Sequence, residues 1–356
     1  MNTMNRPSKR LALGLTAIAL AGGAFAQVKP TKPLQTASAG QSAGVDKQYQ
    51  SAVDAAYAKY KDLKEGKNAD YIPALAQVPS DLFGVSLVSV DGQQFHKGEV
   101  DVPVSIQSIS KVFALARVIE DEGPKAIQDK VGVDATGEVF NSITAVERLR
   151  GKEINPCVNP GALATTSLVR GKTYEEKWNA IIGIHNDMAG RQLQVNRPVY
   201  ESEAATNQRN QAIAHLLYAY ERMYWDPVKS TDLYTKQCAI NVGSRDLGMM
   251  AATLANGGVN PVTKKRVVSP ETVEHVLAVM ATAGLYDDSG IWYYNTGLPG
   301  KSGVGGGLIA VCPGKFGIAV VSPPLDAAGN SVKGQRVIYD VVNQLKANPF
   351  LVQPKP

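Results

Sequence analysis

The chain has 356 residues, 44% hydrophobic and 19% charged, with a formal net charge of +5. Three basic residues, Arg6, Lys9 and Arg10, sit in an acid-free N-terminal stretch, and setting those three aside leaves a net charge of only +2. With no Lys/Arg run longer than three residues further on, that balance excludes a nucleic-acid footprint.

The basic start runs into an apolar stretch from Leu11 to Ala21 and then Ala24-Phe25-Ala26, a small-residue cleavage site. Together these read as a secretory signal over residues 1–26, with Gln27 the mature start and an exported, periplasmic or secreted, product. The apolar run is short and broken by Gly14, Gly22 and Gly23, which disfavours a membrane anchor. No later segment is long and apolar enough to cross a bilayer, so no stable membrane insertion is expected after cleavage. Residues 27–45, rich in Gln, Ser, Thr, Pro, Lys and Gly, read as a flexible linker. The catalytic domain is expected over 46–350.

From Asp46 onward, Tyr49, Val53, Ala56, Tyr57, Tyr60 and Leu63 recur at helical spacing, with Gly66 as a stop. Phe83, Val85, Leu87 and Val88 lead to Asp91-Gly92, a strand and hairpin turn with a second short strand after it. Between Ser105 and about Tyr286 the signals are mostly helical, apart from a polar loop at Thr136–Pro160 and a distinct segment at Asn196–Asn210. Asn210–Trp225 and Ser244–Ala255 read as amphipathic helices, the second ended by Gly257-Gly258. Gly307–Cys312 and Phe316–Val321 flank Pro313-Gly314 as a buried hairpin, and Val332–Leu345 closes the chain as a helix. This order predicts an α+β protein: a sheet from 80–100 and 291–322, with a mainly helical subdomain at about 105–286 inserted between.

Four histidines, His96, His185, His215 and His275, form no paired metal motif and flank no nucleophile motif, so no metal is expected. A different chemistry stands at Ser108-Ile109-Ser110-Lys111, just ahead of the apolar helix Val112, Phe113, Leu115, Ala116, Val118 and Ile119. Residues three apart share a helix face, so Ser108 and Lys111 are neighbours. A lysine whose pKa is lowered by burial or by nearby positive charge can take a serine's proton without a histidine. The same four residues also describe an ordinary helix start, with a capping serine and a lysine reaching for water. Lys301-Ser302-Gly303, followed by Val304-Gly305-Gly306-Gly307, favours the chemical reading. It resembles the Lys-Thr/Ser-Gly element that faces Ser-x-x-Lys in serine β-lactamases, and its lysine would help depress the pKa of Lys111. The glycine run lacks the residue order of a phosphate loop.

The stretch Ser105-Ile106-Gln107-Ser108-Ile109-Ser110-Lys111-Val112-Phe113 resembles the nucleophile signature of the serine-dependent bacterial glutaminases. Further matches follow in order: Phe140-Asn141-Ser142-Ile143, Tyr200-Glu201-Ser202-Glu203, Arg209-Asn210, Gln237-Cys238 after Tyr234, Leu254 to Pro261, Gly284-Leu285-Tyr286-Asp287 and Gly297-Leu298-Pro299. The resemblance runs from Tyr71-Ile72-Pro73 to the final helix and implies a serine β-lactamase-like fold. It implies Ser108 as nucleophile, Lys111 as base, Tyr234 as proton relay, and the amides of Ser108 and Val304 as the oxyanion hole. It places the substrate's amino-acid end on Asn159, Glu203, Asn210, Tyr234 and Tyr286. The implied reaction takes L-glutamine to L-glutamate and ammonia with no cofactor, in a homo-oligomer. The chain departs from the family at Asn159-Pro160, where the family has Asn-Ala, and in its export signal.

Cys157 and Cys238 flank Asn159 and Tyr234, so export leaves open a bridge between them as well as two unpaired buried thiols. With Cys312 the three cysteines are too few for a disulfide scaffold and lack zinc-site spacing. Two rival functions share these motifs: a β-lactamase or penicillin-binding-protein-like hydrolase, and an exported glutamine-binding protein without turnover. A well-placed Ser-Asp-Asn or Tyr-x-Asn element, expected of the first, is absent. The pairing of Ser108 with Lys111 argues against the second.

Overall fold

The computed structural model describes residues 39–352 and 354. The expected signal and the linker up to residue 38 lie outside the described residues. Helix α1 (Ala39–Tyr60) starts seven residues before the expected Asp46, so the end of the linker is helical. Extending an existing helix costs far less than nucleating one, and no proline stands at 39–46 to stop it. Ala52, Val53 and Ala56 bury one face of α1 against the sheet. There Tyr57 stacks on Phe83 at 4.5 Å and Tyr49 meets Phe95 and Phe316 edge-on, each at 5.5 Å.

The strands are β1 (Gly84–Ser89), β2 (Gln94–Gly98), β3 (Val104–Ser105), β4 (Asn241–Val242), β5 (Gly300–Gly303), β6 (Gly307–Cys312) and β7 (Phe316–Val321). Five form one antiparallel sheet in the order β2-β1-β7-β6-β5, and β3 pairs with β4 apart from it. Strand β1 lies beside β7, with Gly84 opposite Val321 and Ser89 opposite Phe316, so the two ends of the domain are joined at the sheet's centre. Side chains alternate across a strand. Leu308, Ala310, Cys312, Ile318 and Val320 face α1 and the last helix, while Ile309, Val311, Ala319 and Val321 face the helical block. Covering both faces makes β6 and β7 continuous apolar runs in the sequence.

Helices α2 (Pro73–Ala76), α3 (Ser110–Glu122), α4 (Pro124–Lys130), α5 (Ile143–Leu149), α6 (Asn159–Leu168) and α7 (Tyr174–Ala189) come first. Then follow α8 (Arg197–Thr206), α9 (Gln208–Ala219), α10 (Pro227–Cys238), α11 (Ser244–Ala255), α12 (Pro270–Ala283), α13 (Ser289–Thr296) and α14 (Val332–Gln344). Four stretches differ from expectation. The polar loop contains α5, started by the Ser142 hydroxyl accepting from the Ala145 amide. Asn196–Asn210 is mainly α8, capped by Asn196. The helix expected to reach Trp225 stops at Ala219, because Glu221 turns left-handed (φ 58°) and the Arg222 amide closes the turn on the Leu217 carbonyl. Residues 291–299 hold most of α13, and the sheet resumes only at Gly300.

Helix α11 crosses the sheet closely because Gly317 has no side chain: a Cβ there would stand 2.1 Å from the Ala252 backbone nitrogen. We expect Gly317→Ala to lower unfolding stability by about 1–3 kcal/mol, read as a drop in urea midpoint at constant m-value. An unchanged midpoint would mean that α11 moves aside freely.

Candidate functional site

Ser108 lies in a 3-10 turn, Gln107–Ile109, that runs straight into α3. Gln107 is held in a left-handed backbone (φ 49°), which costs a non-glycine residue about 1–3 kcal/mol and is characteristic of functional turns. Ser110 stabilises the turn by donating its hydroxyl to the Gln107 carbonyl at 2.7 Å. The turn sits beneath the end of β5. A Cβ on Gly303 would meet the Ile106 carbonyl at 2.8 Å, and one on Gly305 the Ser105 carbonyl at 2.4 Å. These contacts bring Val304 beside Ser108, and both residues line one cavity.

Lys111, only 1% exposed, follows one turn after Ser108. Its Nζ donates to Asn159 Oδ1 at 2.7 Å, and the Tyr234 hydroxyl donates to the same oxygen at 3.2 Å. Asn159 Nδ2 in turn donates to Asn210 Oδ1 at 3.0 Å. Four of the predicted residues, from α3, α6, α9 and α10, thus form one chain of hydrogen bonds. Pro160 does not disturb it. Proline is favoured in a first helical turn, where its missing N–H is not needed, and Asn159 opens α6 there rather than lying extended. Among the described residues no hydrogen bond joins Lys111 to Ser108.

Burial brings the Lys111 pKa down to about 8, against the upward pull of Cys238, Cys157 and the Glu203 carboxyl. The expected help from Lys301 is not the cause. The Lys301 ammonium is turned onto the carbonyls of Gly284 (2.9 Å) and Ser302 (2.8 Å), 4.3 Å from the centre of the Tyr286 ring. Its own pKa falls to about 7, through burial first, with Lys111 adding to the push. Glu203 accepts from Gln107 Nε2 at 3.3 Å, and burial raises its carboxyl to about 7. The phenol of Tyr234 is held well above its ordinary value, chiefly by burial, and so stays protonated.

The cavity holds about 280 Å3, and Ser108, Asn159, Glu203, Asn210, Tyr234 and Val304 all line it. Tyr286 lies outside that lining, behind Phe140 (ring centres 5.0 Å apart), with its hydroxyl donating to the Ser302 carbonyl at 3.1 Å. Several wall residues were assigned no role from the sequence: Tyr71, Gln107, Phe140, Asn141, Asn207 and Arg209. Arg209 is a cation at the wall, anchored by Nε to the Asn141 carbonyl at 2.8 Å. They come from separate loops and helix ends, where no periodicity marks them. For all but Asn207, the only sequence signal was membership of the matched segments.

The thiols of Cys157, Cys238 and Cys312 are all buried and free, so the bridge considered between the first two is not formed. Burial pushes Cys238 up to about 12 and raises Cys157 as well, which leaves both protonated. His185 is buried against Phe113, 5.3 Å between ring centres, and away from the cavity lining. Among the described residues no group of three or more His, Cys, Asp or Glu side chains is placed to hold a metal.

The glutaminase family model matches residues 66–350. The chain belongs to the glutaminase family. It is 52% identical over 301 residues to a glutaminase of Colwellia psychrerythraea, covering 85% of this chain and 97% of that one. It is 50% identical over 303 residues to a glutaminase of Mycobacterium ulcerans, covering 85% and 95%. Among solved structures, the probable glutaminase ybaS superposes with a TM-score of 0.85 at 48% identity, covering 86% of this chain and 99% of that one. A covalent complex of the Bacillus subtilis glutaminase YbgJ with 5-oxo-L-norleucine, formed by reaction with 6-diazo-5-oxo-L-norleucine, gives 0.75 at 26% identity, covering 86% and 100%. The chain is therefore a glutaminase on a β-lactamase-like α+β fold, and it hydrolyses L-glutamine to L-glutamate and ammonia.

Proposed function

We propose that this glutaminase works by two-step acyl transfer through Ser108, with Lys111 as general base. The observation that carries the reading is a fully buried lysine one helical turn from a cavity-lining serine, its pKa lowered to about 8. In the neutral amine, one N–H bonds Asn159 and the lone pair remains free to take the serine proton. Ser108 Oγ attacks the side-chain carbonyl, and the amides of Ser108 and Val304 stabilise the oxyanion, an effect typically worth about 3 kcal/mol. Tyr234, protonated at any working pH, passes a proton to the departing ammonia. Water then cleaves the γ-glutamyl ester by the reverse relay.

The substrate's α-ammonium pairs with the Glu203 carboxylate, while Asn159, Asn210 and Tyr234 supply donors for the α-carboxylate; Tyr286, outside the cavity lining with its hydroxyl given to the Ser302 carbonyl, supplies none. Support for covalent chemistry comes from the adduct formed by the YbgJ relative. In that reagent a diazomethyl group replaces the amide nitrogen of glutamine, so a nucleophile can displace dinitrogen. Ser108→Ala should lower turnover roughly 10⁴-fold or more while the circular dichroism spectrum stays native. The parent chain should gain the mass of the reagent less dinitrogen, on the Ser108 peptide. An adduct elsewhere, or near-normal turnover in the variant, would refute the assignment.

The base must be neutral to act, so activity is present above the Lys111 pKa and is lost as pH falls through it. The acid limb of kcat/KM should be centred near 8 and fall about tenfold per pH unit below it. A limb that stays flat down to pH 6 contradicts Lys111 as base.

We further propose export, supported by the basic, apolar and small-residue pattern of residues 1–26; the family resemblance supports a homo-oligomer. Expressed with its full leader in a bacterial host, the protein should appear in the periplasm or medium with Gln27 at its N-terminus. An intact Met1 terminus in the cytosolic fraction would rule export out.

A further inference from the structure

Helix α8 carries Glu203 but has little apolar surface to anchor it: of its ten residues only Val199 and Glu203 are buried. It is held largely by polar links to α10 and the residue that follows it. The Asn196 amide donates to the Ala239 carbonyl at 2.7 Å, and Asn207 Nδ2, just past the other end, donates to Thr235 Oγ1 at 2.9 Å. Between these, the Tyr200 hydroxyl donates to Asp232 Oδ1 at 2.6 Å. The other Asp232 oxygen accepts from the Tyr174 hydroxyl of α7 at 2.5 Å. One carboxylate therefore receives two short, charge-assisted hydrogen bonds from two different helices. It sits two residues before Tyr234, and Tyr200 sits three before Glu203.

We propose that Asp232 is a positioning residue: through Tyr200 it fixes α8, and with it the Glu203 carboxylate that takes the substrate's ammonium. The inference rests on that reading of Glu203. Asp232 touches neither the cavity nor the reacting atoms. Among the described residues the Glu203 side chain has one hydrogen-bond partner, Gln107 at 3.3 Å, so its aim depends on where its helix lies. Ser202 adds one more tie, accepting from the Ala74 amide at 3.3 Å, but to the short helix α2 rather than to α10. Nearby Lys236 lies over the rings of Trp178 (4.2 Å) and Tyr174 (5.4 Å), which braces the Tyr174 side of the clamp and leaves Tyr200 to act on α8.

The two phenols provide a controlled comparison, because each loses one hydrogen bond to the same carboxylate. Tyr200→Phe and Tyr174→Phe should lower Tm by a similar amount, roughly 2–4 °C. Only Tyr200→Phe should raise KM for glutamine, by about tenfold, the equivalent of one charge-assisted hydrogen bond, with kcat little changed. In Glu203→Gln, which raises KM by itself, adding Tyr200→Phe should cause little further increase, since the group being aimed is gone. Equal KM values in the two phenylalanine variants, or full additivity with Glu203→Gln, would overturn the inference. If Glu203→Gln itself leaves KM unchanged, the reading of the ammonium site fails instead.

Discussion

A lysine ammonium taken out of water with no carboxylate to meet it is among the costliest things a fold can contain. Lys111 is such a group, and the site is organised around making it tolerable in its neutral form. Its nearest polar partner is a neutral amide oxygen, Asn159 Oδ1, not an acid. A carboxylate in that place would have restored the charge and, under the proposed mechanism, removed the base. The surrounding apolar residues of α3, Val112, Phe113, Leu115 and Ala116, are fully buried and keep water away. The same burial lowers Lys301 and raises Glu203 and Tyr234, so one physical cause sets four ionisable groups at once.

The sheet makes this arrangement possible by joining distant parts of the chain. Strand β1 comes from the start of the domain and β7 from its end, and their pairing holds β5 and Val304 over the turn that carries Ser108. Gly303 and Gly305 allow two backbones to approach without a side chain between them. The serine and lysine are local in sequence, whereas the Val304 amide is a gift of topology. Loss of the central pairing would separate Ser108 from Val304, the two residues whose amides are proposed to form the oxyanion hole.

The fold was legible where residues repeat with a period. The apolar runs of β6 and β7, the Asp-Gly hairpin and the α11 pattern each occur where the spacing placed them, because burial on one or both faces leaves that imprint. It was less legible where polar contacts decide. Helix α8 has too few buried residues to show a stripe, α9 ends on the left-handed turn at Glu221, and α1 extends into a segment whose composition reads as linker. At the site, Ser108 and Lys111 were identified by motif, and Val304, Asn159, Glu203, Asn210 and Tyr234 by resemblance. The wall formed by Tyr71, Phe140 and Arg209 has no local signature, since a cavity is a property of the assembled chain. The cause of the lysine shift was also misjudged, because a second cation nearby in sequence logic had turned its ammonium onto backbone carbonyls.

Under the proposed roles, the shared burial of Glu203 and Lys111 has a consequence for the order of events. In the free enzyme the Glu203 carboxylate, where ionised, adds an upward pull on the Lys111 pKa against the burial that lowers it. An arriving glutamine brings its α-ammonium to Glu203 and cancels that pull. It also displaces water from a cavity of about 280 Å3, which deepens the desolvation already responsible for most of the shift. Both effects act in the same direction, towards the neutral amine. The base is thus best prepared when a zwitterionic amino acid occupies the site, and a bare amide lacking the ammonium leaves the upward pull of Glu203 on Lys111 in place. Discrimination for a free amino acid then gains an electrostatic contribution beside that of fit, and it depends on Glu203 being held close enough to feel the substrate and the lysine together.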